Sequence, residues 1–222
     1  MILYGIPILS IVLILIAQLG VKSAFKKYSE IENSAGLTGA EAARQMLLDN
    51  GITDVQIEPV AGSLTDHYDP TANVIRLSED VYNKSTVAAV GVAMHEAGHA
   101  LQYAQGYKPV VVRNAIVKTT NISSWASYLL VVIGCIASSA KLITVGIWFF
   151  CVVIAFQLIT LPVEFNASGR AVRTLSGGGF LTDEEQKGVR KVLSAAAMTY
   201  VVAVATALLQ LIRLLAIRNR RR

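Results

Sequence analysis

Four uncharged, apolar runs set the frame of this chain: residues 1–21, 119–140, 142–163 and 192–212. About 20 apolar residues span the hydrocarbon core of a bilayer, so each run predicts a membrane-crossing helix. The first has neither a basic leader nor a convincing small-residue cleavage site, and reads as an uncleaved anchor. The middle two are separated only by Ser138, Ser139, Ala140 and Lys141, which predicts a tight helical hairpin. The last is closed by Arg213 and the Arg218–Arg222 tail.

The substantial polar region lies between the first and second runs. Thr38 and Glu41 form a capping-box pair. Behind them Ala42, Ala43, Met46 and Leu47 recur at helical spacing, and Gly51 is placed as a C-terminal stop. Val55, Ile57 and Pro59 alternate with polar residues and predict a strand. Residues 63–78 predict a hairpin turning at Asp69-Pro70-Thr71-Ala72-Asn73. Its second strand, Val74 to Ser78, is expected to be an edge on which an extended peptide could pair. A helical turn at Glu79 to Tyr82 leads into a helix over Ser85 to Ala104, with Ser85 as its N-cap. Beyond the hairpin spans, Pro162 predicts a kink or fresh helix start. Ser176-Gly177-Gly178-Gly179 predicts a break, and Thr182 with Glu185 a second capping box.

The expected organisation is an anchor at 1–21, an α+β domain at 22–118, a transmembrane hairpin at 119–163, a further helix and linker at 164–191, and a last span with its basic tail at 192–222. Composition agrees with a multi-pass protein of the cell membrane: 54% of the 222 residues are hydrophobic and 16% charged. The net charge of +5 does not suggest nucleic acid. Residues 22–118 hold nine Lys/Arg against eleven Asp/Glu, and the tail arginines fit a membrane flank. The sum of flanking cations leans towards a cytoplasmic polar domain, while the dense tail argues the other way. Trp125, Tyr128 and Trp148 suit either a membrane interface or packing. Cys135 and Cys151 fall in apolar runs and read as packing residues.

The candidate chemistry sits at His95-Glu96-Ala97-Gly98-His99, an H-E-x-x-H pattern on the predicted helix. Positions i and i+4 share one face, so His95 and His99 can hold one Zn²⁺ with Glu96 beside its open position as general base. Ala97 and Gly98 would leave room beside the metal. A catalytic site needs a third ligand. Asp183, Glu184 and Glu185 suit the first turn of a helix. Glu164 has no such explanation, lying just past a span beside Pro162. It is the candidate ligand, with a salt bridge to Arg170 as the alternative. Asn166 or Ser168 could bond a ligand histidine. His67 or Tyr68 could stabilise an oxyanion or contact substrate. A polar cluster around Asp66 and Asp69 explains His67 equally well, and it is the reserve metal ligand.

The ordered blocks LTDHYDP (Leu64–Pro70), VIRLS (Val74–Ser78), AMHEAGHALQ (Ala93–Gln102), LPVEFNAS (Leu161–Ser168) and SAAAMTY (Ser194–Tyr200) resemble the YugP-type family of membrane-bound neutral zinc metallopeptidases. The likeness runs over most of the chain. It implies a gluzincin-like site of two histidines and a glutamate, similar in order to HtpX-like membrane proteases. In that wider group an aspartate follows the glutamate within a turn; Asn166 and Ser168 stand nearby here. The expected protein is α-helical and membrane-bound, with about four spans and a small zincin-like α+β domain. It would hydrolyse peptide bonds in protein substrates associated with the bilayer. The rivals are a zinc-holding scaffold or sensor, against which Glu96 speaks, and an ion-coupled transporter, for which the spans carry too few ionisable groups.

Overall fold

The computed structural model describes residues 2–179 and 181–221. The protein is mostly helical, with one small sheet. In chain order come α1 (Ile2–Ser29), α2 (Gly39–Asp49), β1 (Gln56–Val60), β2 (His67–Asp69), β3 (Val74–Ser78), α3 (Glu79–Tyr82), α4 (Val87–Ala104), α5 (Lys108–Ile136), α6 (Ala140–Gly178) and α7 (Asp183–Asn219). Four of these, α1, α5, α6 and α7, are long and apolar enough to cross a membrane. The chain divides into two compact units. One holds the residues up to Gln18, Val111–Pro162 and those from Met198 on; the other holds Leu19–Val110 and Val163–Ala197.

The first unit consists of helix segments with apolar side chains turned outward. Ile8, Ile11 and Ile16 of α1 and Ile122 of α5 are exposed, as expected of surfaces that face lipid tails. Trp125, Tyr128 and Trp148 also point outward. Inside, Ile143, Ile147 and Leu214 form a small core against which Cys135 and Cys151 pack. The turn between α5 and α6 is tight. Ser139 donates its N–H to the Gly134 carbonyl at 2.8 Å, and Ser138 takes a left-handed φ of 50°. Pro162 does not start a new helix. It lies inside an unbroken α6, and the break expected at 176–179 is delayed to Gly179.

The second unit is built on α4. Ala42, Ala43, Met46 and Leu47 of α2 are buried with Val87 to Leu101 of α4 in one core, which also takes in Ala171, Leu175, Val189 and Leu193. Thr38 and Glu41 form the expected capping box, and Gly51 turns the chain out of α2 with φ +73°. Thr86, one residue past the expected Ser85, caps α4 through its hydroxyl. The Thr182–Glu185 box opens α7. Glu185 also reaches back across the chain, where its carboxylate accepts from both the N–H and the hydroxyl of Ser34, at 2.6 and 2.8 Å.

The sheet order is β1-β3-β2. β2 and β3 form the antiparallel hairpin expected, with Tyr68 opposite Ile75, while β1 joins β3 in parallel. β3 is therefore the central strand, not an edge. Its residues Val74, Ile75, Leu77 and Ser78 are all buried, the pattern of a strand covered on both faces. The turn is held by Asp69, whose carboxylate accepts from Thr71, Ala72 and Arg76. Thr71 and Arg76 together keep its pKa well below the usual carboxylate range. Burial pushes the neighbouring Asp66 carboxyl up, against the hydrogen bonds it accepts from Ser78.

Candidate metal centre

Two helices of the second unit supply the site. On α4, His95 and His99 sit one turn apart, and their rings meet edge to face with centroids 4.7 Å apart. The close approach between helices comes from Gly98. A Cβ there would lie 2.6 Å from the carbonyl oxygen of Ala167 on α6. The glycine is thus required by the contact with α6. This proximity brings Glu164, almost fully buried, to both imidazoles. Its Oε2 lies 3.4 Å from His95 Nε2 and 3.5 Å from His99 Nε2, and the two Nε2 atoms are 3.2 Å apart.

The outer ring nitrogens explain why those atoms converge. His99 Nδ1 is 3.0 Å from Gln102 Oε1, and Gln102 Nε2 donates to the Val163 carbonyl at 2.7 Å. A carbonyl can only accept, so the amide orientation is fixed and His99 must carry its proton on Nδ1 when neutral. His95 Nδ1 is 3.1 Å from the Ser168 hydroxyl. When His95 carries its proton on Nδ1 and donates it to the Ser168 hydroxyl, both Nε2 lone pairs are directed at a carboxylate oxygen. That oxygen, Glu164 Oε2, is buried and accepts no hydrogen bond. Three acceptor atoms facing one another is an unfavourable arrangement that a shared cation relieves. The spacing suits one: ligands roughly 2.0–2.1 Å from a tetrahedral zinc lie about 3.3 Å from one another. His95, His99 and Glu164 together form a group able to hold a metal ion. The local field agrees. Burial opposes a charge on His99, but Glu164 and Glu96 outweigh it and raise its pKa above the ordinary value.

Glu96, also buried, accepts from the main-chain N–H of Tyr68 at 3.0 Å through Oε2. This bond ties β2 to the motif helix and steadies one carboxylate oxygen, leaving Oε1 available. The Tyr68 hydroxyl donates to Asn73 at 2.8 Å, and its ring packs edge-on against Tyr103. His67 is exposed, with Nδ1 2.8 Å from the Thr65 carbonyl, and does not belong to the metal-capable group. Ser168 reaches a histidine as expected; Asn166 instead accepts from Gln102 at 3.0 Å and from Arg170 at 2.7 Å. Arg170 bonds Asn166 and Gln105, so the ion pair considered for Glu164 is replaced by the two histidines. Gln102 was not singled out in the sequence. Its signal was faint: a polar residue one turn after His99, on an otherwise apolar helix.

No solved structure matches the chain. Among curated proteins, it is 51% identical over 197 residues to the "Putative membrane protease YugP" of Bacillus subtilis (strain 168), covering 89% of this chain and 88% of that one. With two members of the metal-capable triad on the H-E-x-x-H helix and the third on α6, and a family model described as "Putative neutral zinc metallopeptidase" matching residues 2–219, the chain belongs to that family.

Proposed function

We propose that this protein is a membrane-bound zinc metallopeptidase with a gluzincin-like site on a small zincin-like α+β domain. The domain divisions at 21, 118, 163 and 191 read from the sequence belong to this proposal. The observation that carries it is the convergence of the two imidazole Nε2 atoms on a buried carboxylate oxygen without a hydrogen bond. His95, His99 and Glu164 would hold the zinc; Gln102 and Ser168 orient the imidazoles. Bound zinc supplies a Lewis acid that polarises a carbonyl and makes water nucleophilic near neutral pH. Glu96 takes the proton of the attacking water and returns it to the leaving amine, so that one peptide bond is exchanged for a carboxylate and an amine. Tyr68 holds Glu96 in place through the main chain. His67 and Tyr68 are placed on β2, which replaces β3 as the strand beside which an extended substrate would lie. His67 is the side chain proposed to meet the substrate or the developing oxyanion. The substrates are proteins of the membrane or their juxtamembrane segments.

The test pairs metal analysis with Glu96→Gln. Glutamine keeps the shape but cannot take a proton, so zinc should stay at one per chain while hydrolysis falls by at least about 100-fold. Zinc-dependent hydrolysis that survives in Glu96→Gln protein would remove Glu96 from the mechanism. A metal site with no hydrolysis in the unaltered protein would leave a zinc-holding scaffold. The active site is proposed to face the cytoplasm, from the cations flanking the spans on its side. A C-terminal tag should then be digested by protease added outside sealed, right-side-out vesicles, and protection of the tag would reverse the orientation.

A further inference from the structure

The first unit contains a cavity whose lining does not suit a helix bundle facing lipid. It has a volume of about 490 Å³ and is walled by Ile14, Ala17 and Gln18 of α1, by Phe150, Val153 and Gln157 of α6, and by the face of α7 from Thr199 to Gln210. Every glutamine of this unit, Gln18, Gln157 and Gln210, lines this one space. Thr199 and Thr206 join them. Gln210 accepts from Arg213, and Thr206 donates to the Ala203 carbonyl. Among the described residues no hydrogen bond engages the amides of Gln18 or Gln157. Gln18 is exposed and Gln157 half-buried, and polar side chains carried by apolar spans are typically functional.

Their chemistry selects the occupant. None of the lining residues is ionisable, so the cavity offers no counter-charge to a phosphate or a carboxylate. Primary amides present two donors and an acceptor each. An acyl chain uses neither. A polypeptide main chain uses both, but only where it is unwound, because a helix satisfies its own N–H and C=O groups. We infer that this cavity binds an unwound stretch of a membrane-embedded polypeptide, with Gln18 and Gln157 hydrogen-bonding its main chain. The inference rests on the peptidase reading in that the stretch is a substrate segment: hydrolysis requires an extended backbone, and Gln157 precedes Glu164 by seven residues in the same helix, α6.

The test reads binding, independently of hydrolysis. Full-length protein carrying Glu96→Gln, Cys135→Ser and Cys151→Ser is reconstituted in liposomes with a single cysteine, either Val153→Cys in the cavity wall or Leu158→Cys on an exposed face of α6. The probe is a synthetic peptide with one Leu/Ala span of about 20 residues, broken centrally by Gly-Pro next to a single cysteine. Disulfide formation should favour Val153→Cys over Leu158→Cys by about fivefold, and adding Gln18→Leu and Gln157→Leu should remove most of that preference, each lost hydrogen bond being worth about fivefold. Unlabelled peptide should compete. Equal yields at the two cysteines overturn the proposal, as does a preference that survives the double substitution in protein eluting as the parent does. Competition by added phosphatidylglycerol as strong as by peptide overturns it in favour of a lipid site. If the cross-link forms while protein with Glu96 intact fails to cleave the probe, the peptidase reading fails and the cavity remains a polypeptide site.

Discussion

Glu164→Gln protein should bind zinc at least about 100-fold more weakly than the parent, the upper end of what even a supporting residue costs a metal site. Glutamine retains the size of the side chain and loses the charge that two neutral imidazoles cannot supply. The loss should be visible in stability. Zinc at about 100 times its Kd stabilises a folded protein by about 2.7 kcal/mol, and that increment should vanish in Glu164→Gln. Without zinc the two proteins should melt alike where both imidazoles are neutral, and the variant lower at acid pH, where protonated His99 loses the carboxylate that raises its pKa. Glu164→Asp should fall between them, one methylene short of reach. Glu184, exposed and paired with Lys187, gives the control: Glu184→Gln should bind zinc normally. The measurement is a competition titration against a chromophoric chelator in detergent, with melting curves in chelator and in zinc. Full occupancy in Glu164→Gln would move the third ligand elsewhere, with His67 tested next.

The second large effect is expected at Gly98. Alanine in a helix interior ordinarily gains about 1 kcal/mol over glycine. Here its Cβ would press on main chain, 2.6 Å from the Ala167 oxygen and 3.2 Å from the carbonyl carbon and Cα. Backbone cannot rotate away as a side chain can, so α4 and α6 must part. Overpacking of this kind costs about 1–3 kcal/mol, and the parting draws His99 away from Glu164. Gly98→Ala should therefore lower both the melting temperature and zinc affinity. Gly91 on the same helix is the comparison. A Cβ there meets the Val189 side chain at 3.0 Å, which can shift, so Gly91→Ala should cost less and leave the metal in place. Equal effects at the two positions would show that the contact with Ala167 is not what sets the helix spacing.

These two positions show what can and cannot be read from one chain. Glu164 stood out because a carboxylate beside a span needs a reason. Gly98 was visible but its contact with Ala167 was not, since a glycine in a motif does not announce which backbone will approach it. Local chemistry was legible: the Thr38–Glu41 and Thr182–Glu185 caps, the uncharged runs, and the turn of the β2–β3 hairpin each depend on residues a few positions apart. The parallel pairing of β1 with β3 depends on no local signal, and it turned an expected edge strand into a central one. Pro162 reads as a break from its missing N–H alone, yet α6 continues through it. Gln102 was overlooked because its partners, Val163 and Asn166, lie more than 60 residues away. A longer separation still, 151 residues, hid the tether from Glu185 to Ser34.

The order in which the chain leaves the ribosome gives that distance a meaning in time. His99 and Glu164 are 65 residues apart, and two apolar helical segments lie between them. At about 5–20 residues per second, synthesis of that interval takes roughly 3–13 s. Throughout it the motif helix has its two imidazoles but neither the carboxylate nor the carbonyl that anchors Gln102. The nascent chain is then chemically in the condition that Glu164→Gln imposes on the finished one. On the proposed reading, a hydrolase that would otherwise be born armed among unfolded, freshly inserted polypeptides stays harmless until its own translation has passed through the membrane hairpin.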